Sequence, residues 1–345
     1  MRILTKCLPL IVFGTLALTL ACGGGGGGGG STQPPATPIT LSVYAAGSNS
    51  GVPGYWLNGI WVGLTLPAGS STGVVTSLVV DASNVYAGGS GTNVSGNISA
   101  PGYWLNGTWV GLTLSSGSST GVVNSLVVDG NNVYAGGYSG LVPGYWLNGT
   151  WVGLPTVGGA SGIVRSLVVS GSSVYAGGFS GMVPGYWLNG TWVGLPLPSD
   201  SEGQVTSLAL SGNDVYAGGY TITLANSDIL TGYWLDGVWV GLPQTSGSNQ
   251  SFVSSLVVSG NSIYAGGSGL VPGYWLNGTW VGFKLPSGST SGVVTSLVLD
   301  ASNVYAGGYI INGGAIPGYW LNGTWIGLTP PSVSNNSSVT SLAIQ

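Results

Sequence analysis

The chain has 345 residues, with 66 glycines, 14 tryptophans, no histidine and only 3% charged side chains. A hydrophobic content of 43% excludes a disordered chain, and a lack of 3.6-residue periodicity beyond residue 22 excludes a helical fold in favour of Val-, Tyr-, Trp- and Thr-rich strands. Beyond that point only Arg165 and Lys284 oppose eight acidic residues, a net charge of −6 that argues against nucleic acid or an anionic lipid surface as main partner.

The first element is a targeting segment. Arg2 and Lys6 form a basic start, Leu8 to Leu20 a short apolar run, and "LTLAC" ends at Cys22. The run is too short to span a bilayer comfortably and reads as a cleaved secretory signal over residues 1–21. Ala21-Cys22 resembles the lipobox of bacterial lipoproteins, which implies that Cys22 is acylated and becomes the first residue. Cys22 has no cysteine after it to pair with, which fits a lipidated residue better than a free thiol in an oxidising compartment. In such lipoproteins of Gram-negative bacteria, Gly23 in place of Asp implies sorting to the outer membrane. Residues 22–40 then carry the lipid and a Gly/Pro-rich tether, which spans about 25 Å if flexible.

Residues 41–345 are a repeat. Tyr-Trp pairs begin at Tyr55, Tyr103, Tyr145, Tyr186, Tyr233, Tyr274 and Tyr319, at spacings of 41 to 48 residues, the range of propeller blades. A complete repeat holds four strand-like pieces, such as "SLVV" (166–169), "VYAGG" (174–178), "GYWL" (185–188) and "TWVGL" (191–195). The first repeat lacks its own "SLVV", and the chain ends on a lone "TSLAI" before Gln345. The predicted fold is therefore all-β: a seven-bladed β-propeller of four-stranded blades, closed by the C-terminal strand joining the N-terminal blade. "VYAGG" followed by Tyr and, six residues on, Trp resembles a kelch-type repeat in all seven copies, with Ala46-Gly47 in place of the glycine pair in the first.

Within "WLNGTW", Asn148-Gly149 predicts a type I′ hairpin turn that sets Trp146 opposite Trp151. All 14 tryptophans fall in such pairs. Recurrence in every blade points to packing rather than to sugar-stacking platforms. "NGT" is also a glycosylation sequon five times, but "NGI" at Asn58 and "DGV" at Asp236 keep the turn and lose the sequon. Asp81, Asp129, Asp214 and Asp300 read as turn residues, because each link carries too few oxygen ligands for calcium.

Strand order puts these uniform turns on one face. The other carries the links between second and third strands, with insertions at 90–101, 220–231 and 309–317, and the blade-to-blade crossings. Nearly every departure from the repeat is assigned to loops of that face. These are Arg165, Lys284, Asp200, Glu202 and Asp228, with Tyr138, Phe179, Tyr220 and Tyr309 just after the glycine pair, and they are the candidate ligand-binding residues. Lacking histidine and any cysteine after Cys22, the chain offers no serine–histidine triad, no thiol nucleophile and no expected metal or cofactor. The expected function is a non-catalytic cell-envelope lipoprotein, bound to the membrane by its lipid and acting as a binding or interaction module for a carbohydrate, envelope polymer or envelope protein. The alternatives are a polysaccharide hydrolase or lyase using loop carboxylates, and a structural scaffold for surface display. The orientation, periplasmic or external, is open.

Overall fold

The computed structural model describes residues 41–345 apart from 97–98, 199, 245–250, 270 and 332–336. The signal segment, Cys22 and the tether lie outside the described residues. Among the described residues, twenty-eight strands form the regular structure, with one three-residue 3-10 turn at Val157–Gly159. No helix of the described residues is long and apolar enough to cross a membrane.

The strands form antiparallel four-stranded blades. The fourth blade is representative, with strands Gly162–Ser170, Ser173–Ser180, Val183–Leu188 and Thr191–Gly194. Blades six and seven are continuous over two residue pairs, Ser268 with Val293 and Gly269 with Gly292. In the first blade the innermost strand is Ser337–Ile344, paired with Val43–Asn49 so that Val43 lies opposite Ile344 and Ala45 opposite Leu342. The chain thus makes a seven-bladed propeller whose last strand completes the first blade.

Two sets of hydrogen bonds join neighbouring blades. At the innermost strands, the Leu78 amide donates to the Ser341 hydroxyl, Leu126 to Ser77, and so on round to Leu342 and Ser296, at 2.9–3.1 Å. Seven such steps return to their start, so the innermost strands form a closed ring rather than an open solenoid. Further out, the first Trp of a pair donates its indole N–H to a carbonyl of the preceding blade, as Trp146 does to Thr113 at 2.7 Å. The seventh blade departs from this: Phe283 stands where the other crossings have leucine, stacks on Trp320 at 5.4 Å, and the Trp320 Nε1 is buried without a partner.

The hairpins explain the tryptophans. Asn148 and Gly149 have φ of 49° and 85°, the positive values a type I′ turn needs. Trp146 pairs with Trp151 across it, with ring centroids 4.4 Å apart. Such a pair contributes roughly 0.5–1.5 kcal/mol beyond area burial. The first Trp of every pair is fully buried, at 0% exposure, so those seven are unavailable as sugar platforms. The second covers a glycine: a Cβ on Gly144 would lie 2.5 Å from the Trp151 ring.

Candidate functional site

The uniform face is structural. The turn Asn or Asp does more than adopt positive φ, because its Oδ1 accepts the amide N–H near the start of the second strand. Asn148 does so from Val133 at 2.9 Å and Asp236 from Val215 at 2.9 Å. An acceptor oxygen is what this position requires, and Asp supplies it as well as Asn. That is why the "DGV" copy works.

On the other face the insertions are not irregular loops. They prolong the hairpin of the second and third strands: Thr92 pairs with Ser99, Ile222 with Ile229, and Ile311 with Ala315. Alternating residues such as "YTIT" and "YII" have the two-residue period of strands and extend the ladder. Tyr138, Phe179, Tyr220 and Tyr309 accordingly lie in strands, half-buried, rather than in loops. Glu202 also belongs to a strand, Ser201–Ser211, opposite Ile222.

Arg165 corrects the loop assignment most usefully. It sits inside the innermost strand of the fourth blade, at the β-bulge between Val164 and Ser166. The same bulge position holds Thr76, Asn124, Thr206, Ser254, Thr295 and Thr340 in the other blades. Each of those six donates a hydrogen bond to a valine carbonyl of the next blade at 2.6–2.8 Å, as Thr76 does to Val123. Arg165 breaks this belt. It is exposed, and it has no hydrogen bond or ion pair among the described residues.

Around it lie two adjoining cavities that share Arg165, Gln204, Tyr220 and Ile222. The first, of about 320 Å³, adds Phe179, Met182 and Glu202. The second, of about 450 Å³, adds Thr206, Phe252 and Ser254. Because Arg165, Thr206 and Ser254 are three successive belt positions on the innermost strands, the second cavity opens at the axis of the ring. Both volumes fall within the range of small-molecule sites. The Gln204 Nε2 donates to the Tyr220 hydroxyl, while its Oε1 is buried without a partner. Tyr220 and Phe252 have ring centroids 6.2 Å apart. Burial raises the Tyr220 pKa above 10.0; Arg165 opposes that shift and Glu202 adds to it, so the phenol is neutral at ordinary pH.

Of the residues the sequence singled out, the structure brings together Arg165, Phe179, Glu202 and Tyr220. Asp200 and Asp228 are exposed near the tip of the fifth-blade hairpin, where the Leu224 amide donates to the Asp200 carbonyl at 2.8 Å and Asp228 accepts a hydrogen bond from Asn226 at 2.5 Å. Tyr138 and Tyr309 belong to blades three and seven and line neither cavity. Lys284 lies elsewhere, beside Gly323, Thr324 and Trp325 of the seventh-blade hairpin. Gln204 and Phe252 were missed, although both carry a signal. They occupy the position before the buried valine, which is Val74, Val122, Ile163 and Val293 in four other blades. No group of three potential metal-ligating side chains occurs among the described residues.

No family model matches the chain, and no curated protein matches it. Among solved structures, the extracellular domain of BT4673 from B. thetaiotaomicron is 14% identical with a TM-score of 0.48, covering 85% of this chain and 36% of that one. The chain thus spans about a third of that domain's length. YCF48 bound to D1 peptide is 12% identical, with a TM-score of 0.47 and coverages of 85% and 90%. YjhT is 12% identical, with a TM-score of 0.40 and coverages of 75% and 96%. The seven-bladed fold stands on the strand pairing and the closed hydrogen-bond ring described above.

Proposed function

We propose that the protein is a non-catalytic binding module of the bacterial cell envelope, lipid-anchored at Cys22 to the outer membrane. Its ligand, a carbohydrate or envelope polymer, sits where blades four to six meet the ring axis. The observation that carries this reading is local. A scaffold repeated seven times with almost identical contacts departs from its own pattern at Arg165, Gln204 and Phe252, and these line one pair of cavities together with Tyr220. Rigid repeats with one divergent concave patch suit recognition. The aromatic faces of Phe179, Tyr220 and Phe252 suit the apolar faces of sugar rings. Glu202 is the one carboxylate lining either cavity, so glycoside hydrolysis by a carboxylate pair lacks its second member there.

The test is a pull-down with the full chain, solubilised from membranes, against envelope polysaccharides and envelope proteins, followed by titration of each hit. Saturable polymer binding, weakened at least tenfold by Tyr220→Ala and unchanged by Tyr138→Ala, is expected. Binding that responds equally to both changes, or an absence of any polymer hit, removes the reading in favour of a display scaffold.

A further inference from the structure

The geometry points to a more specific ligand: we infer that the axial cavity binds an acidic saccharide of the uronate type through a carboxylate held by Arg165. This rests on the binding role proposed above and names the chemistry that the site selects.

Three observations converge. The first is Arg165 itself. Six blades fill the bulge with a small side chain that ties neighbouring innermost strands together, and the fourth presents a guanidinium with no hydrogen bond or ion pair among the described residues. A planar fork of N–H donors in a cavity matches a carboxylate in bidentate fashion. The second is the distribution of acid. Glu202 lines the outer cavity, whereas the axial cavity has no acidic lining residue, so an anion beside Arg165 meets attraction without a carboxylate in its own pocket.

The third is Gln204. One end of its amide bonds the Tyr220 hydroxyl, and the other is buried without a partner. A buried polar atom of that kind costs stability until something satisfies it. In the orientation found here it is an acceptor and calls for a hydroxyl or N–H from the ligand. With the amide turned over it is a donor and calls for an oxygen. A sugar hydroxyl answers both cases, because it donates and accepts. Tyr220 and Phe252 supply flanking faces for the C–H surface of the same ring. A carboxylate, adjacent hydroxyls and an apolar ring face together describe a uronic acid residue. A free peptide C-terminus shares the carboxylate and a backbone N–H or carbonyl for Gln204, but a glycine peptide has no ring face to lie against Tyr220 and Phe252.

The experiment is calorimetric titration of the full chain with a short oligogalacturonate, with its fully methyl-esterified form, and with a glycine oligopeptide bearing a free C-terminus. Wild-type protein should bind the acid form, more weakly as salt rises, and the ester roughly tenfold or more weakly. Arg165→Thr, which puts in place the residue that four other blades carry at the bulge, should lose that preference while keeping a native melting transition. Glu202→Gln, which removes the negative charge from the adjoining cavity, should tighten binding of the acid form. Equal binding of acid and ester overturns the carboxylate assignment and leaves the saccharide-binding role standing. Binding of the peptide in preference to the sugar overturns the saccharide class. Binding of none of the three overturns the inference, and the broader role then depends on the polymer pull-down.

Discussion

At the residue scale, the repeat is a set of positions where only one or two side chains fit, and the physical reasons differ. The second glycine of "AGG" is enforced by backbone: a Cβ on Gly137 would lie 1.8 Å from the Val122 carbonyl oxygen. The first is enforced by a side chain of the next blade, since a Cβ on Gly136 would meet Leu167 at 2.6 Å. Side chains can shift and carbonyls in a paired ladder cannot, and the first blade already carries Ala46 at the first position, fully buried. Gly137→Ala should therefore destabilise by about 3 kcal/mol or more, and Gly136→Ala by about 1 kcal/mol, in denaturant unfolding. Equal effects would contradict this division. The turn asparagines were legible as turns because Asn-Gly has a local conformational signature. The bond from the Val133 amide to Asn148 was not, because its partners are 15 residues apart and no local pattern marks them.

At the element scale, the recurring strand-like pieces and the unmatched terminal pieces were enough to read four strands per blade and the exchange of the last strand. The limits of strands were harder. Second and third strands run on past the expected loops, so residues assigned to flexible links, such as Tyr220 and Glu202, prove to be strand residues with fixed neighbours. Arg165 interrupts an apolar run and reads locally as a break; its bulge is set by the pairing with the second strand, which no local pattern marks. The C-terminal strand is the element that closes the ring. Removing Val339 to Gln345 deletes the bonds that tie blade one to its neighbours, among them Leu342 to Ser296 and Leu78 to Ser341. The truncated chain should lose its cooperative melting transition or melt far below the full chain. A truncated protein that melts like the full one would falsify closure.

At the scale of the whole molecule, stability comes from seven similar contributions, without a disulfide or charge network among the described residues, and its pH dependence should reflect the tyrosines. Burial raises the pKa of Tyr55, Tyr103, Tyr145, Tyr186, Tyr233, Tyr274 and Tyr319 above 10.0, with a neighbouring tyrosine adding to the shift in each. Above that pH the unfolded chain releases phenolic protons that the folded chain retains, so folding loses stability as pH rises past about 10. Below it these groups are protonated in both states and contribute no slope. Chemical unfolding at pH 9 and pH 11 should show the drop; a flat profile would exclude the buried phenols as its cause.

The same ring yields the most direct test of function. If Arg165 replaces a blade-to-blade bond with a ligand-binding group, restoring the bond should stabilise the fold and weaken binding of the acid sugar, as happens where an active residue displaces a structural one. Calorimetric melting of wild-type protein and Arg165→Thr, each with and without oligogalacturonate, measures both at once. The expected result is a variant that melts higher alone, by roughly 2 °C for one regained hydrogen bond, and a ligand-induced rise that is clearly smaller in the variant than in wild type. A variant that melts lower and keeps the full ligand-induced rise would show that Arg165 serves the ring and not a ligand.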